Sequence, residues 1–325
     1  MTNQNFVDVK KKIQELKSLL KKSGFETDDE LAMLEKKLSS QAETGSVWKQ
    51  VELARHPDRP YALDYINNIF DNFIELHGDR LYADDPAIVG GIAFLNSVQL
   101  GKMPVTILAH QKGNTLKENV YRNHGMANPE GYRKALRLAK EAEKFRRPII
   151  TFIDTPGAYP GLGAEERCIS EAIARNLMEF FRISTPVISI IIGEGGSGGA
   201  LGLGIGDKVY MLENSIYSVI SPEGCASILL RDASKAKEAA SMLRITAEDL
   251  LEFNIIDGVI KEPATSMSSA SMPSTNIHTD LDGVAKSIKD VLVRDLEEFF
   301  NKDLKDLVFN RNRKFRAIGQ WSEHN

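Results

Sequence analysis

The residues of this sequence best placed to do chemistry are glycines. Gly193-Glu194-Gly195-Gly196-Ser197-Gly198-Gly199-Ala200 follows the apolar stretch "PVISIII", and Gly202, Gly204 and Gly206 continue the run. Glycine at this density lets backbone approach a neighbour closely. Three neighbours suit such a loop: a dinucleotide pyrophosphate, a nucleoside triphosphate, or an oxygen that gains negative charge during a reaction.

Gly193 to Gly198 fits the spacing G-x-G-x-x-G, and Glu213 stands about 20 residues on, as a dinucleotide fingerprint requires. Against this, the motif lies deep in the chain. The helix it would open, "GGALGLGI", is apolar on every side, where a dinucleotide-binding helix exposes a polar face. The nucleotide-hydrolase loop, G-x-x-x-x-G-K-[ST], fails outright: the nearest lysine, Lys208, lies between Asp207 and Val209. An oxyanion hole fits best. Backbone N–H groups at a strand-to-helix turn, aided by the positive end of the helix dipole, stabilise a developing anion. Tight helix–strand packing accounts for Gly202, Gly204 and Gly206, but poorly for the cluster from Gly193 to Gly199.

Two further turns accompany it. "FIDTPGAYPGLGAEE" runs from Phe152 to Glu166 and contains Gly157, Ala158 and Tyr159; "ISPEGCASILLRD" begins at Ile220 and contains Pro222, Glu223 and Gly224. Strand C-terminal ends in parallel sheets are where ligands bind, so loops after consecutive strands fall side by side. Asp154 reads as part of a turn in preference to a catalytic carboxylate, and Glu223 as a first-turn acid. His110 and His124 are acid or base candidates by residue type alone. No Ser-His-Asp or Cys-His set presents itself, which suits chemistry whose base comes from the substrate or cofactor.

The elements that must hold these loops are legible in part. "AIVGGIAFL", "PVTILAH", "PIITFID", "PVISIII" and "KVYMLE" are nearly continuous in apolar residues, as parallel strands covered on both faces are. Asn128 and Pro129 have the form of a helix start, followed by a stripe of Tyr132, Ala135, Leu136, Ala139 and Ala142. Arg133, Lys134, Arg137, Lys140 and Lys144 fall on the opposite, solvated face. The alternation gives an α/β layered domain. Residues 1–59 read as a helical arm, either self-packing or subunit-docking. Phe6, Val9, Ile13, Leu16 and Leu20 form one stripe, and Leu31, Leu34 and Leu38 form another behind a capping box at Thr27. A third helix spans Val47 to Arg55. Residues 60–300 form the main domain, interrupted by a loop at 263–277, and 301–325 form a basic, exposed tail.

The formal net charge of −4 argues against nucleic acid as a partner. Two distant cysteines, Cys168 and Cys225, offer no zinc site or disulfide framework and fit a cytoplasmic protein. No apolar run is long enough for a membrane span, and no signal-peptide core opens the chain.

The blocks "RPYALDYI", "HQKG", "NPEGYRKALRLAKEAEKF", "PIITFIDTPGAYPGLGAEER", "GEGGSGGALGLGIGDKVYMLENSIYSVISPEGCASIL" and "ITAEDLLEFNIIDGVI" occur in an order that resembles the alpha subunits of bacterial acetyl-CoA carboxylase carboxyltransferases, from about Phe6 to Gly319. The resemblance implies a crotonase-like (ClpP-like) spiral of β-β-α units with an N-terminal helical arm. It implies an α2β2 assembly with a beta subunit that carries zinc, leaving no metal in this chain. It implies biotin, as carboxybiotin on a separate biotin carboxyl carrier protein, with biotin carboxylase in the complete complex. The reaction would move the carboxyl group to acetyl-CoA, giving malonyl-CoA for fatty acid biosynthesis. Lys102-Met103 is followed by Pro104, so this chain has no Met-Lys-Met biotinylation site. On this reading Gly198 and Gly199 hold the biotin ureido oxygen, and the donor pair is either Gly198–Gly199 or Gly199–Ala200. Gly195, Gly196, Ala200, Gly157, Ala158, Tyr159, Pro222, Glu223 and Gly224 line the carboxybiotin and substrate site. The enolate of acetyl-CoA would use a second oxyanion hole on the beta subunit. The chain departs from the family pattern at Asn114-Thr115-Leu116, at Cys168-Ile169 and through the 263–277 loop, which leaves open a divergent, non-catalytic scaffold as the alternative.

Overall fold

The computed structural model describes residues 47–262, 280–300 and 304–319. The stripes expected before residue 47, the capping box at Thr27 and the loop at 263–277 lie outside the described residues. Residues 47–54 are helical. The described chain forms two compact units. The larger holds residues 50–221 and 244 onward; the smaller holds 47–49 and Pro222–Leu243.

The larger unit is built on one sheet of eight strands: β1 (Asp71–Glu75), β2 (Ile88–Ser97), β3 (Gly101–His110), β4 (Ile149–Thr155), β5 (Val187–Gly196), β6 (Lys208–Leu212), β7 (Ile216–Ser218) and β8 (Gly258–Ile260). The spatial order is β1-β2-β3-β4-β5-β6-β8, with β7 beside the end of β5. From β3 onward neighbours are parallel, as the apolar runs predict. The first two pairings differ: β1–β2 and β2–β3 are antiparallel. Between Ser97 and Gly101 there are too few residues for a parallel crossover, and Gly101 takes the left-handed φ of +64° that the hairpin turn demands.

Helices cover both faces: α1 (Ala62–Ile69), α2 (Pro129–Lys144), α3 (Ile169–Phe180), α4 (Ser197–Gly204), α5 (Leu281–Phe300) and α6 (Leu304–Arg316). Alternation along β5 shows why both are needed. Ile188, Ile190 and Ile192 pack with α1 and α5, whereas Val187 and Ile191 pack with α2, α3 and α4. The α2 stripe of Tyr132, Ala135, Leu136, Ala139 and Ala142 is buried as its spacing predicts. Lys134 departs from its predicted solvated face. It is fully buried, with Nζ 2.5 Å from Asp84 Oδ1 and 2.9 Å from the Asp85 carbonyl. Asn128 occupies the N-cap of α2 but does not cap it; its side-chain oxygen accepts from Arg167 at 3.3 Å.

The basic C-terminal segment is not an exposed tail through its described part. Arg311 of α6 is buried and donates to Asp207 Oδ2 at 2.6 Å, and to the carbonyls of Phe180, Ile183 and Thr185. The arginine thus ties α6 to the residue that leads from α4 into β6. A cavity of about 320 Å³ lies here, at the N-terminal ends of β6 and β8, lined by Asp207, Asp257 and Arg311 among others. That is the opposite end of the sheet from the glycine turn.

Candidate functional site

Consecutive parallel strands β4 and β5 end in the two glycine turns, and those turns touch backbone to backbone. A Cβ at Gly196 would fall 2.1 Å from the Pro156 carbonyl oxygen; one at Gly199 would fall 2.5 Å from Ala158 N and Gly157 C. Only glycine permits this approach. Thr155 holds the β4 turn: its hydroxyl donates to the Gly157 carbonyl at 2.7 Å and accepts from Gly157 N–H at 3.1 Å. Gly157 itself sits at φ +153° with open space where a side chain would be.

The ladder between the strands is broken just before the turns. Ile153 pairs with Ile191 and Thr155 with Gly195, leaving Asp154 against three residues of β5. The Asp154 carboxylate fills the gap. Its Oδ1 accepts from Glu194 N–H at 2.9 Å and from Lys112 Nζ at 2.6 Å. Asp154 is therefore a buried strand residue that joins the ends of β3, β4 and β5; neither a turn nor a catalytic acid describes it. Beyond it, Arg55 donates to Glu194 Oε1 at 2.6 Å.

The dinucleotide register is not realised as a phosphate loop. Gly193 to Gly196 belong to β5, and the Asp154 carboxylate lies over Gly193, where a pyrophosphate would be repelled. Glu213, the acid expected on a ribose, is paired with Lys261 at 2.7 Å.

Helix α4 begins at Ser197, with Gly196 as its N-cap and no side-chain cap. For a helix with this N-cap, Ala200 is the first residue whose N–H reaches an intrahelical acceptor, so Ser197, Gly198 and Gly199 keep unpaired donors. None of the three donates to a loop or turn carbonyl. Ser197 adopts φ +49° at the strand-to-helix junction and is exposed. The helix has few side chains of its own, and buried polar groups grip its carbonyls from outside. Tyr132 Oη donates to Gly199 O at 3.2 Å and Asn176 Nδ2 to Gly202 O at 3.1 Å. Thr151 and Ser189 both donate to Leu203 O, at 2.9 and 3.2 Å. The last-turn carbonyls are thereby neutralised inside the core, while the first-turn N–H groups carry the positive end of the dipole unopposed.

Comparison with known proteins accords with this geometry. Residues 2–319 match the family model described as acetyl co-enzyme A carboxylase carboxyltransferase-like. The acetyl-coenzyme A carboxylase carboxyl transferase subunit alpha of Treponema denticola is 57% identical over 96% of this chain and 97% of its own. That of Staphylococcus saprophyticus is 52% identical over 97% of each. The chain belongs to this carboxyltransferase family.

Among solved structures, the 12S transcarboxylase with methylmalonyl-coenzyme A bound superposes with a TM-score of 0.56 at 19% identity, over 74% of this chain and 41% of that one. A Pseudomonas malonate decarboxylase hetero-tetramer in complex with coenzyme A gives 0.51 at 18% identity, over 70% of this chain and 87% of that one. These likenesses identify the fold as crotonase-like.

Within this carboxyltransferase-family chain, the residues expected at the site separate into three groups. Gly195, Gly196, Gly198, Gly199 and Ala200 are brought against Gly157 and Ala158 by the two turns. Tyr159 is half-buried, its N–H on the Ala127 carbonyl at 3.0 Å and its ring over Gly161. Pro222, Glu223 and Gly224 belong to the smaller unit, where Pro222–Cys225 opens a helix with Glu223 in its first turn. His124 is exposed at φ +56°, and His110 is sealed inside the core. Two of the sequence departures are superficial: Asn114, Thr115, Leu116 and Cys168 are exposed. Ile169 instead fills a place in the core beside α2 and α4.

Sequence reasoning missed Thr151, Ser189, Asn176, Tyr132 and Lys112. A signal existed for two of them. Thr151 in "IITFID" and Ser189 in "VISIII" are polar residues inside apolar strands, and such residues require a buried partner.

Proposed function

We propose that this chain is the alpha subunit of an acetyl-CoA carboxylase carboxyltransferase. With a beta subunit it would transfer the carboxyl group from carboxybiotin, on a carrier protein, to acetyl-CoA, forming malonyl-CoA. The family membership supports the reaction class and biotin-dependent chemistry. The observation that carries the site is the first turn of α4: unpaired N–H groups, glycine at 198 and 199, and backbone contact with the neighbouring turn at Gly157–Ala158.

These residues fit a ureido ring. A flat group can reach the backbone where no side chain intervenes, and its oxygen would meet N–H donors at a positive helix end. When bound, carboxybiotin supplies the carboxyl group and an oxygen that becomes more negative as that group departs. The chain's own contribution is to present Gly198 and Gly199 N–H to that oxygen, in preference to Gly199 and Ala200, because Ala200 N–H is committed within the helix. The buried donors to Gly199, Gly202 and Leu203 carbonyls keep the helix from shifting as charge develops, so little reorganisation accompanies the reaction. No general base is asked of this chain. A zinc-bearing beta subunit, an α2β2 assembly, biotin carboxylase as a further partner and a cytoplasmic location complete the proposal. No helix among the described residues is long and apolar enough to cross a membrane.

The test is reconstitution. Malonyl-CoA-dependent carboxylation of a free biotin analogue is expected only when a beta subunit is added. Full activity of the chain alone refutes the two-subunit reading, and no activity in the pair refutes the enzyme reading in favour of a scaffold.

A further inference from the structure

His110, at the end of β3, is a buried group that the proposed reaction does not use. It is completely buried, and neither ring nitrogen has a hydrogen-bond partner. An unpaired polar group in the core is destabilising. A phenyl or aliphatic side chain would fill the space without that cost, so packing does not account for an imidazole here.

What the ring faces does account for it. Tyr132 lies edge-on at 6.4 Å between ring centroids, and the Tyr132 hydroxyl donates to the Gly199 carbonyl. The same carbonyl is the backbone acceptor beside His110, and Lys112 is the nearby cation. Burial, and after it the Lys112 charge, outweigh the pull of that carbonyl and keep the ring neutral, with a pKa down at about 3. A neutral imidazole has one N–H to give. Tyr132 uses one lone pair of the Gly199 oxygen, which leaves the other.

We propose that His110 is a positioning residue for carboxyl transfer: its N–H and the Tyr132 hydroxyl together hold the Gly199 carbonyl, and so the orientation of the first turn of the glycine helix. Gly198 and Gly199 have no side chains by which the turn could be held, so the hold must come from neighbouring elements. Thr151, Ser189 and Asn176 fix the last turn in this way. β3 and α2 do so for the first. The bond from His110 is not aligned in the resting structure; polar contacts at catalytic sites are often loose without substrate and tighten in the loaded complex. This inference rests on the carboxyltransferase reading.

The experiment uses the complex reconstituted with a beta subunit. His110→Phe and His110→Leu are expected to melt at or above the wild-type temperature, because an unpaired polar group is removed. Their kcat should fall about ten- to a hundred-fold, the scale of a slightly misplaced site, with KM for malonyl-CoA near the wild-type value. His110→Gln, which keeps a donor, should recover part of kcat. Tyr132→Phe should also lower kcat, and the His110→Phe/Tyr132→Phe double variant should lose less than the product of the two, since both act on one carbonyl. Unchanged kcat in the His110 variants overturns the inference. So does a parallel loss of kcat and melting temperature, or failure to fold, since each would assign the ring to packing. An inactive wild-type pair overturns the carboxyltransferase reading together with the inference, and so is distinguishable from the other failures.

Discussion

A methyl group at Gly199 and a methyl group at Gly198, one residue apart in the same helix, should have opposite consequences. At Gly199 the added Cβ would lie 2.5 Å from Ala158 N and Gly157 C, and 2.9 Å from Gly157 Cα. All three are backbone atoms of a turn already held by Thr155, so no side chain can swing aside. Relief requires the two turns to part by roughly 1 Å. Overpacking of this kind costs about 1–3 kcal/mol. The N–H of Gly199 moves with the turn, and loss of one oxyanion donor costs about 10²–10³ in kcat. At Gly198 the nearest atoms are Ile173 Cγ2 and Cδ1, at 3.7 and 3.8 Å, which is ordinary contact. Alanine there keeps its N–H and gains up to about 1 kcal/mol in helix propensity. The assay is steady-state carboxylation of a biotin analogue by the reconstituted pair, with denaturant unfolding of each variant. Gly199→Ala should lose at least about a hundred-fold in kcat and unfold earlier, while Gly198→Ala unfolds no earlier than wild type. Wild-type turnover and stability in Gly199→Ala would refute the reasoning, as would a Gly198→Ala protein that proves the less stable of the two.

Three other outcomes follow from the same contacts. Because His110 is held neutral with its pKa near 3 rather than 6.5, the unfolded chain binds the extra proton as pH falls below 6.5. His110 should therefore contribute a loss of about 1.4 kcal/mol of stability per pH unit on acidification from about 6.5 towards its folded pKa, and His110→Phe should remove that component from denaturant midpoints measured between about pH 6.5 and 4. Lys112→Met leaves the Asp154 carboxylate buried without its cation. Stability should fall by about 3–5 kcal/mol, and the double variant with Asp154→Leu should recover part of it; a single variant as stable as wild type would contradict the role given to Asp154. Arg311→Met strips Asp207 and three carbonyls of their partner, so urea unfolding should show a loss of about 3–5 kcal/mol, whereas an exposed tail would show almost none.

Much of this protein is determined by sequence alone, because its elements are locally consistent. The apolar runs of β4, β5 and β6 have no polar face to offer solvent, which requires helices on both sides. The stripe on α2 could face only the core. Glycines at 196, 198 and 199 mark a place of close approach whatever the approach is to, and the long family blocks identify the chemistry. What sequence does not carry is which groups meet across the sheet. The G-x-G-x-x-G spacing reads equally well as a dinucleotide loop until β5 is seen to run through Gly196 with Asp154 over Gly193. Lys134 and Arg311 look like solvated charges because their partners, Asp84 and Asp207, are about 50 and 104 residues away. The grip on the glycine helix is likewise contributed by α2, α3, β4 and β5, each of which supplies a single donor. Local propensity fixes an element and its buried face, but a hydrogen bond between distant residues exists only after the chain has closed the loop between them. For that reason the position of the oxyanion donors is legible in the sequence, and the residues that hold them still are decided by the tertiary structure.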